Sequence, residues 1–223
     1  MLLAVAVFIA TFALTRDLPM IDRLLTMTGI AVLALAWAGP LPGMVRGSFA
    51  AHMTLHMTVV GIGIPLLAAG IGPLVARRNW LRSQLALPIA VSVIDLVVVW
   101  GWHAPALHHA SRTQPWALAA EQASFALVSL LVWLVALAST GETRRIAALA
   151  GAMALFFTSM HMTLLGALIG LAPRSIYGDH LQSSTGGLPV LVDQQLGGVI
   201  MLGIGGVIYL SGGLVLMARV LRR

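Results

Sequence analysis

Seven long runs of apolar residues, separated by short polar stretches, organise this chain. They cover roughly residues 1–15, 20–38, 48–70, 84–101, 116–138, 146–171 and 194–218. Most approach the roughly 20 residues that an α-helix needs to cross a bilayer. None has the short alternating pattern of a barrel strand. The pattern predicts an all-α fold, a polytopic membrane helical bundle of about seven transmembrane helices, with residues 1–223 forming a single domain. The first run is short enough to pass for a signal peptide. No basic segment opens it, however, and no small-x-small cleavage site precedes Arg16, so it reads as a span.

Composition agrees with the pattern. Hydrophobic residues make up 59% of the chain, charged residues 9%, and the mean hydropathy is +0.97. A soluble domain of this length could not hide that much apolar surface, so the lipid bilayer is the solvent. Charge then sets the orientation. All 13 basic residues are arginine. Arg16, Arg23, Arg77, Arg78, Arg82, Arg144, Arg145, Arg219, Arg222 and Arg223 fall on one side of the predicted bundle; Arg46, Arg112 and Arg174 fall on the other. The positive-inside rule therefore predicts an outside N-terminus and a cytoplasmic C-terminus. The net charge of +6 belongs to these loops, and with no patch mixing basic and aromatic residues, nucleic acid is not an expected partner.

Two features predict how the helices pack. Gly198, Gly205 and Gly212 recur every seven residues, which places them on one stripe where a neighbouring helix can come close. Pro65, following Gly61 and Gly63, predicts a kink in the third span. Trp100, Trp102 and Trp116 read as an interfacial belt on the outer side.

The chemistry lies in the histidines. In the predicted orientation all seven sit in the outer half of the protein. His52 and His56 are four apart and share a helix face, with Met53 and Met57 on the adjacent stripe. His103, His108 and His109 follow the fourth span, His161 lies in the sixth, and His180 is in the outer loop. In "MHM", Met160 and Met162 flank His161 and point about 200° apart, so only one of them can share its direction. Methionine in a bundle is usually core filler. Buried histidine is different, because polar groups in a membrane are costly and point to function.

Several readings compete for the cluster: packing, a metal site, axial ligation of haem by His56 and His161, and a proton or ion path through Asp95 and Glu121. Imidazole suits zinc, copper, iron and nickel, and thioether selects Cu(I). With no cysteine present, copper leads and zinc follows. Candidate ligands are His52, His56, His103, His161, Met57 and Met160. Asp95, two turns below His103, can orient a ligand histidine or pair with an arginine or another neighbour. Glu121 stands near the start of the fifth span, where a helix N-terminus favours an acid. Asp193 opens the last span and reads as its N-cap.

The motifs "HMTLHM", "WGWHAPAL", "AEQASF", "LLGALIGLAPRSIY" and "DQQLGGVIM", in this order and spacing, resemble the CtaG-type cytochrome c oxidase assembly factors of bacterial membranes. The resemblance runs from about residue 45 to the C-terminus. It implies a seven-helix protein of the bacterial inner (cytoplasmic) membrane with a role in maturing haem–copper oxidases, including copper delivery. The implied partner is a respiratory oxidase subunit or a copper carrier protein. The matching positions are His52, His56, His103, Glu121 and the run Asp193, Gln194, Gln195. In many members a histidine follows the glutamate; here Gln122 stands there, and His161 is the candidate replacement.

No G-x-S-x-G, P-loop or H-E-x-x-H motif occurs, so an enzyme is the least expected class. The leading expectation is an assembly factor that handles copper, as Cu(I), at an outward-facing His/Met site. The alternatives are a haem-binding electron-transfer protein and a metal or proton transporter.

Overall fold

The computed structural model describes residues 15–77, 86–137, 144–177 and 187–221, and these are almost entirely helical. In chain order the helices are α1 (Met20–Ala38), α2 (Leu41–Met44), α3 (Phe49–Thr58), α4 (Ile64–Arg77), α5 (Ala86–Trp102), α6 (Pro105–Thr113), α7 (Pro115–Leu137), α8 (Arg144–Gly170), α9 (Val190–Ile200) and α10 (Gly206–Leu221). Wider π-helical turns, Val59–Gly63 and Met201–Gly205, join α3 to α4 and α9 to α10.

Among the described residues, five helical segments are long and apolar enough to cross a membrane: Met20–Met44, Phe49–Val75, Pro115–Leu137, Ala148–Gly170 and Val190–Ala218. A sixth is counted if α5 and α6 form one span. Residues 1–14 of the first predicted span lie outside the described residues. Large apolar side chains such as Ile94, Val97, Phe156, Leu168 and Val207 stand exposed on the outer faces of these helices, where lipid is the solvent.

The predicted spans leave residues 102–115 as the outer connection between the fourth and the fifth. The structure instead breaks the chain at His103 and bends it by 71° into α6. The cause is local. Ala104 precedes Pro105 and takes an extended conformation (φ −64°, ψ 137°), because proline disfavours helix in the residue before it. Pro65 acts in a related way. It has no N–H, and its ring would collide with the carbonyl of Gly61, four residues back. The π-helical turn over Val59–Gly63 takes up that mismatch.

Helix α3 is the interior element. Eight of its ten residues are buried, including His52, His56, Met53 and Met57. It lies against α9, while α8 packs along both α9 and α10. Gly198, the first glycine of the predicted stripe, makes the α8–α9 crossing possible: a Cβ on Gly198 would come within 2.7 Å of the Gly166 carbonyl oxygen, and one on Gly166 within 2.8 Å of the Leu202 amide. The backbones therefore come close at Gly198, as predicted, whereas Gly205 lies beside the Met57 and Met162 side chains and Gly212 against the Trp133 ring.

Candidate metal centre

The histidine-bearing helix is fixed at its start. Ser48 caps α3, its hydroxyl accepting from the Ala51 amide at 3.1 Å. The same hydroxyl donates to Asp193 Oδ1 at 2.7 Å. The Phe49 and Ala50 amides donate to Asp193 Oδ2 and Oδ1 at 2.6 and 3.4 Å. Asp193 thus caps α3 rather than its own helix, which starts three residues earlier, at Val190 behind Pro189. The correction has a physical cause: the orphan amides at a buried helix start need an acceptor, and a carboxylate there satisfies several at once. Arg112 of α6 closes the turn before α3, donating to the carbonyls of Val45 and Arg46 at 3.1 and 2.8 Å.

His52 and His56 lie with ring centroids 4.4 Å apart. Both turn Nε2 toward Glu121, at 2.9 Å from Oε2 and 3.6 Å from Oε1 respectively. Glu121 is fully buried in α7, so it serves these two rings rather than the helix start. Among the described residues, His52, His56 and Glu121 are close enough together to hold one metal ion. The next residue sets the tautomer of His56. The Trp37 indole donates to Gln122 Oε1 at 3.3 Å, which leaves the Gln122 amide nitrogen to donate to His56 Nδ1 at 2.8 Å. An indole can only donate, so the amide has one orientation. Neutral His56 then carries its proton on Nε2, facing the carboxylate.

His103 is set the opposite way. Its Nδ1 donates to the Val99 carbonyl at 2.7 Å, an acceptor that leaves no other choice of tautomer. Neutral His103 therefore has a lone pair on Nε2, and that buried atom has no hydrogen-bond partner. The Tyr177 hydroxyl fixes the backbone at the same break, donating to the His103 carbonyl at 2.8 Å. Burial pushes the Tyr177 hydroxyl up to about 12, so it stays a donor at neutral pH. Tyr177 also stacks on Phe49, with centroids 4.8 Å apart.

His56 and His103 line a small cavity with Asp95, Met57, Met162 and Met201. It has room for little more than one water-sized sphere. His108, carried inward by α6, stands 4.8 Å from His52 by ring centroid, and neither of its buried ring nitrogens has a partner.

Some expected residues lie elsewhere. Met160 is 53% exposed on the lipid side of α8 and is not a ligand candidate; Met162, 2% exposed, points inward in its place. The step of about 100° per residue explains this: once His161 and Met162 share the inner face, Met160 is carried out of it. His161 pairs with Asp95, Nε2 to Oδ2 at 3.2 Å, and does not line the cavity. Asp95 therefore faces His161, while the Val99 carbonyl orients His103. Gln194 and Gln195 fasten the end of α8 and the segment after it. Gln194 Oε1 accepts from the Ile176 amide at 2.7 Å, and Gln195 donates to the Ala172 carbonyl at 3.2 Å. His109 is exposed, and His180 lies outside the described residues.

Sequence reasoning did not single out His108, Met201 or the structural role of Gln122. The bend at Ala104-Pro105 was the available signal for His108. Nothing in the local pattern marked Met201, whose direction depends on the π-helical turn.

A family model described as cytochrome c oxidase caa3 assembly factor matches residues 4–223. No curated protein and no solved structure matches.

Proposed function

Because the chain belongs to the cytochrome c oxidase caa3 assembly factor family, we propose that it takes copper into the buried histidine–methionine cluster and passes it to a subunit of the oxidase under assembly. The protein is a multi-pass protein of the bacterial inner membrane. The observation that carries the proposal is His103 Nε2: a buried imidazole nitrogen with no hydrogen-bond partner, on a residue that lines an ion-sized cavity together with three methionines. A buried polar atom left unpaired in an apolar bundle is costly and calls for a ligand. With the Asp95 carboxylate engaged by His161, the remaining donors are imidazole and thioether without thiolate, which favours Cu(I) and leaves it releasable. Haem fits less well, since the space beside His56 takes one small sphere and His161 is turned to Asp95.

Deleting the gene is expected to lower oxidase activity in cells grown on limiting copper, with partial recovery when copper is added. Normal oxidase activity at low copper, together with loss of a haem absorbance from the membranes, would instead support electron transfer.

Delivery to an outer acceptor requires the cluster to face outward, as the ten-to-three arginine split implies. The chain has no cysteine, so single cysteines report cleanly. Gly43→Cys, at a position with open space around its Cβ, is expected to react with an impermeant maleimide applied from outside. Ile146→Cys, 50% exposed near the start of α8, is expected to stay protected. The reverse pattern would place the cluster on the cytoplasmic side and exclude delivery outward.

A further inference from the structure

We propose that Met57, Met162 and Met201, with His103 Nε2, form a Cu(I) seat of their own, separate from the His52–His56–Glu121 trio; this rests on the copper-handling reading above. The three methionines come from α3, α8 and the π-helical turn at Met201–Gly205, and each is at most 2% exposed. A buried methionine alone is core filler. Three from separate elements around one cavity, beside an imidazole nitrogen that lacks a partner, are a donor set.

Two of these side chains also meet beside Gly205: a Cβ there would sit in ordinary contact, 3.6 Å from both the Met57 sulfur and the Met162 Cβ. Both π-helical turns contribute to the cavity wall, Val60 from the first and Met201 from the second. Such widened turns recur at functional sites because they redirect side chains that a regular helix would aim elsewhere.

The trio differs in its chemistry. With Glu121 ionised, its oxygens face ring nitrogens that carry protons: His52 Nε2 at 2.9 Å, and His56 Nε2, whose tautomer Gln122 fixes. A metal bound there would have to displace those protons and break the Gln122 bond. At the thioether seat His103 already presents its lone pair, and no proton need leave. Neutral thioether and imidazole ligands suit a soft monovalent ion and serve Zn(II) or Cu(II) poorly. His56 lines the cavity and also contacts Glu121, so the seat and the trio share a wall. That arrangement suits a metal that passes from one to the other.

The test uses the full-length protein in detergent, loaded anaerobically with Cu(I). Copper K-edge absorption fine structure is expected to show sulfur scatterers in the wild type. The triple variant Met57→Leu, Met162→Leu, Met201→Leu nearly conserves volume. It is expected to lose about 100-fold or more in Cu(I) affinity against a competing chelator, since removing ligands should exceed the 10- to 100-fold typical of groups behind them. Nitrogen and oxygen scatterers alone in the wild type would overturn the seat while leaving copper handling intact, with the trio as its site. Undiminished Cu(I) affinity in the folded triple variant would have the same meaning. No copper binding by the wild type in either oxidation state would overturn the functional reading itself. If the variant does not fold, the wild-type spectrum alone decides.

Discussion

Replacing Asp193 with alanine is expected to destabilise the bundle by about 3 kcal/mol, the largest stability effect of any single polar substitution considered. The carboxylate accepts from the Phe49 amide at 2.6 Å, the Ser48 hydroxyl at 2.7 Å and the Ala50 amide at 3.4 Å, and it is buried. Hydrogen bonds to a charged group contribute roughly 1.5–3 kcal/mol each, and a buried donor left unpaired costs its full desolvation. Water cannot readily replace the acceptor, because Phe49 and Ala50 are buried as well. Ser48→Ala makes the useful comparison. It removes the cap on Ala51 and the hydroxyl's bond to Asp193 but leaves both amide–carboxylate bonds, so a smaller loss, about 1–2 kcal/mol, is expected. Thermal unfolding followed by tryptophan fluorescence should place Asp193→Ala well below Ser48→Ala. Equal midpoints would mean that Asp193 is not what holds the start of α3. Because His52 is the fourth residue of that helix, loosening it is also expected to weaken the His52–Glu121 pair at the site.

Much of the architecture was legible in the chain, and particular residues show where legibility ended. Apolar runs located the helices because a lipid-facing helix must be apolar along its length. The i, i+4 spacing of His52 and His56 put both rings on one face, and Glu121 now stands against that face. The glycine stripe predicted a close crossing without naming the partner, which at Gly198 proved to be α8 through Gly166 and Gly170, while Gly205 and Gly212 face side chains. What failed depended on neighbours rather than on period. Met160 and Met162 flank His161 symmetrically in the sequence, and only the packing of α8 on α9 and α10 decides which turns inward. Asp193 has the position of a cap, but the helix it caps begins 144 residues earlier in the chain, at Phe49. Gln122 looked like a missing ligand. Its role is to fix a tautomer, which requires knowing that Trp37 donates to its other end. Each failure is a tertiary contact overriding a reading that was locally sound.

His103→Ala is expected to have the largest effect on function. His103 is the cavity-lining ring whose Nδ1 proton is committed to a backbone carbonyl, at 2.7 Å from Val99, leaving Nε2 ready to bind without a proton being lost. An imidazole held in this way has its ligand direction fixed before the metal arrives. Removing the ring should leave the fold largely in place, because Tyr177 holds the backbone at the break through the His103 carbonyl rather than through the side chain. A strain whose only copy carries His103→Ala is expected to match the deletion strain at limiting copper and to recover in part when copper is added. Two companions separate ligation from architecture. His109→Ala removes an exposed imidazole six residues along the chain and should behave as wild type. Tyr177→Phe keeps every proposed ligand but releases the backbone bond, so a smaller loss, about 10-fold in Cu(I) affinity, is expected. Wild-type oxidase levels in the His103→Ala strain at limiting copper would remove this ring from the pathway. The trio of His52, His56 and Glu121 would then be the remaining place for the metal to bind, and Gln122→Ala, which frees the His56 tautomer, should raise its affinity.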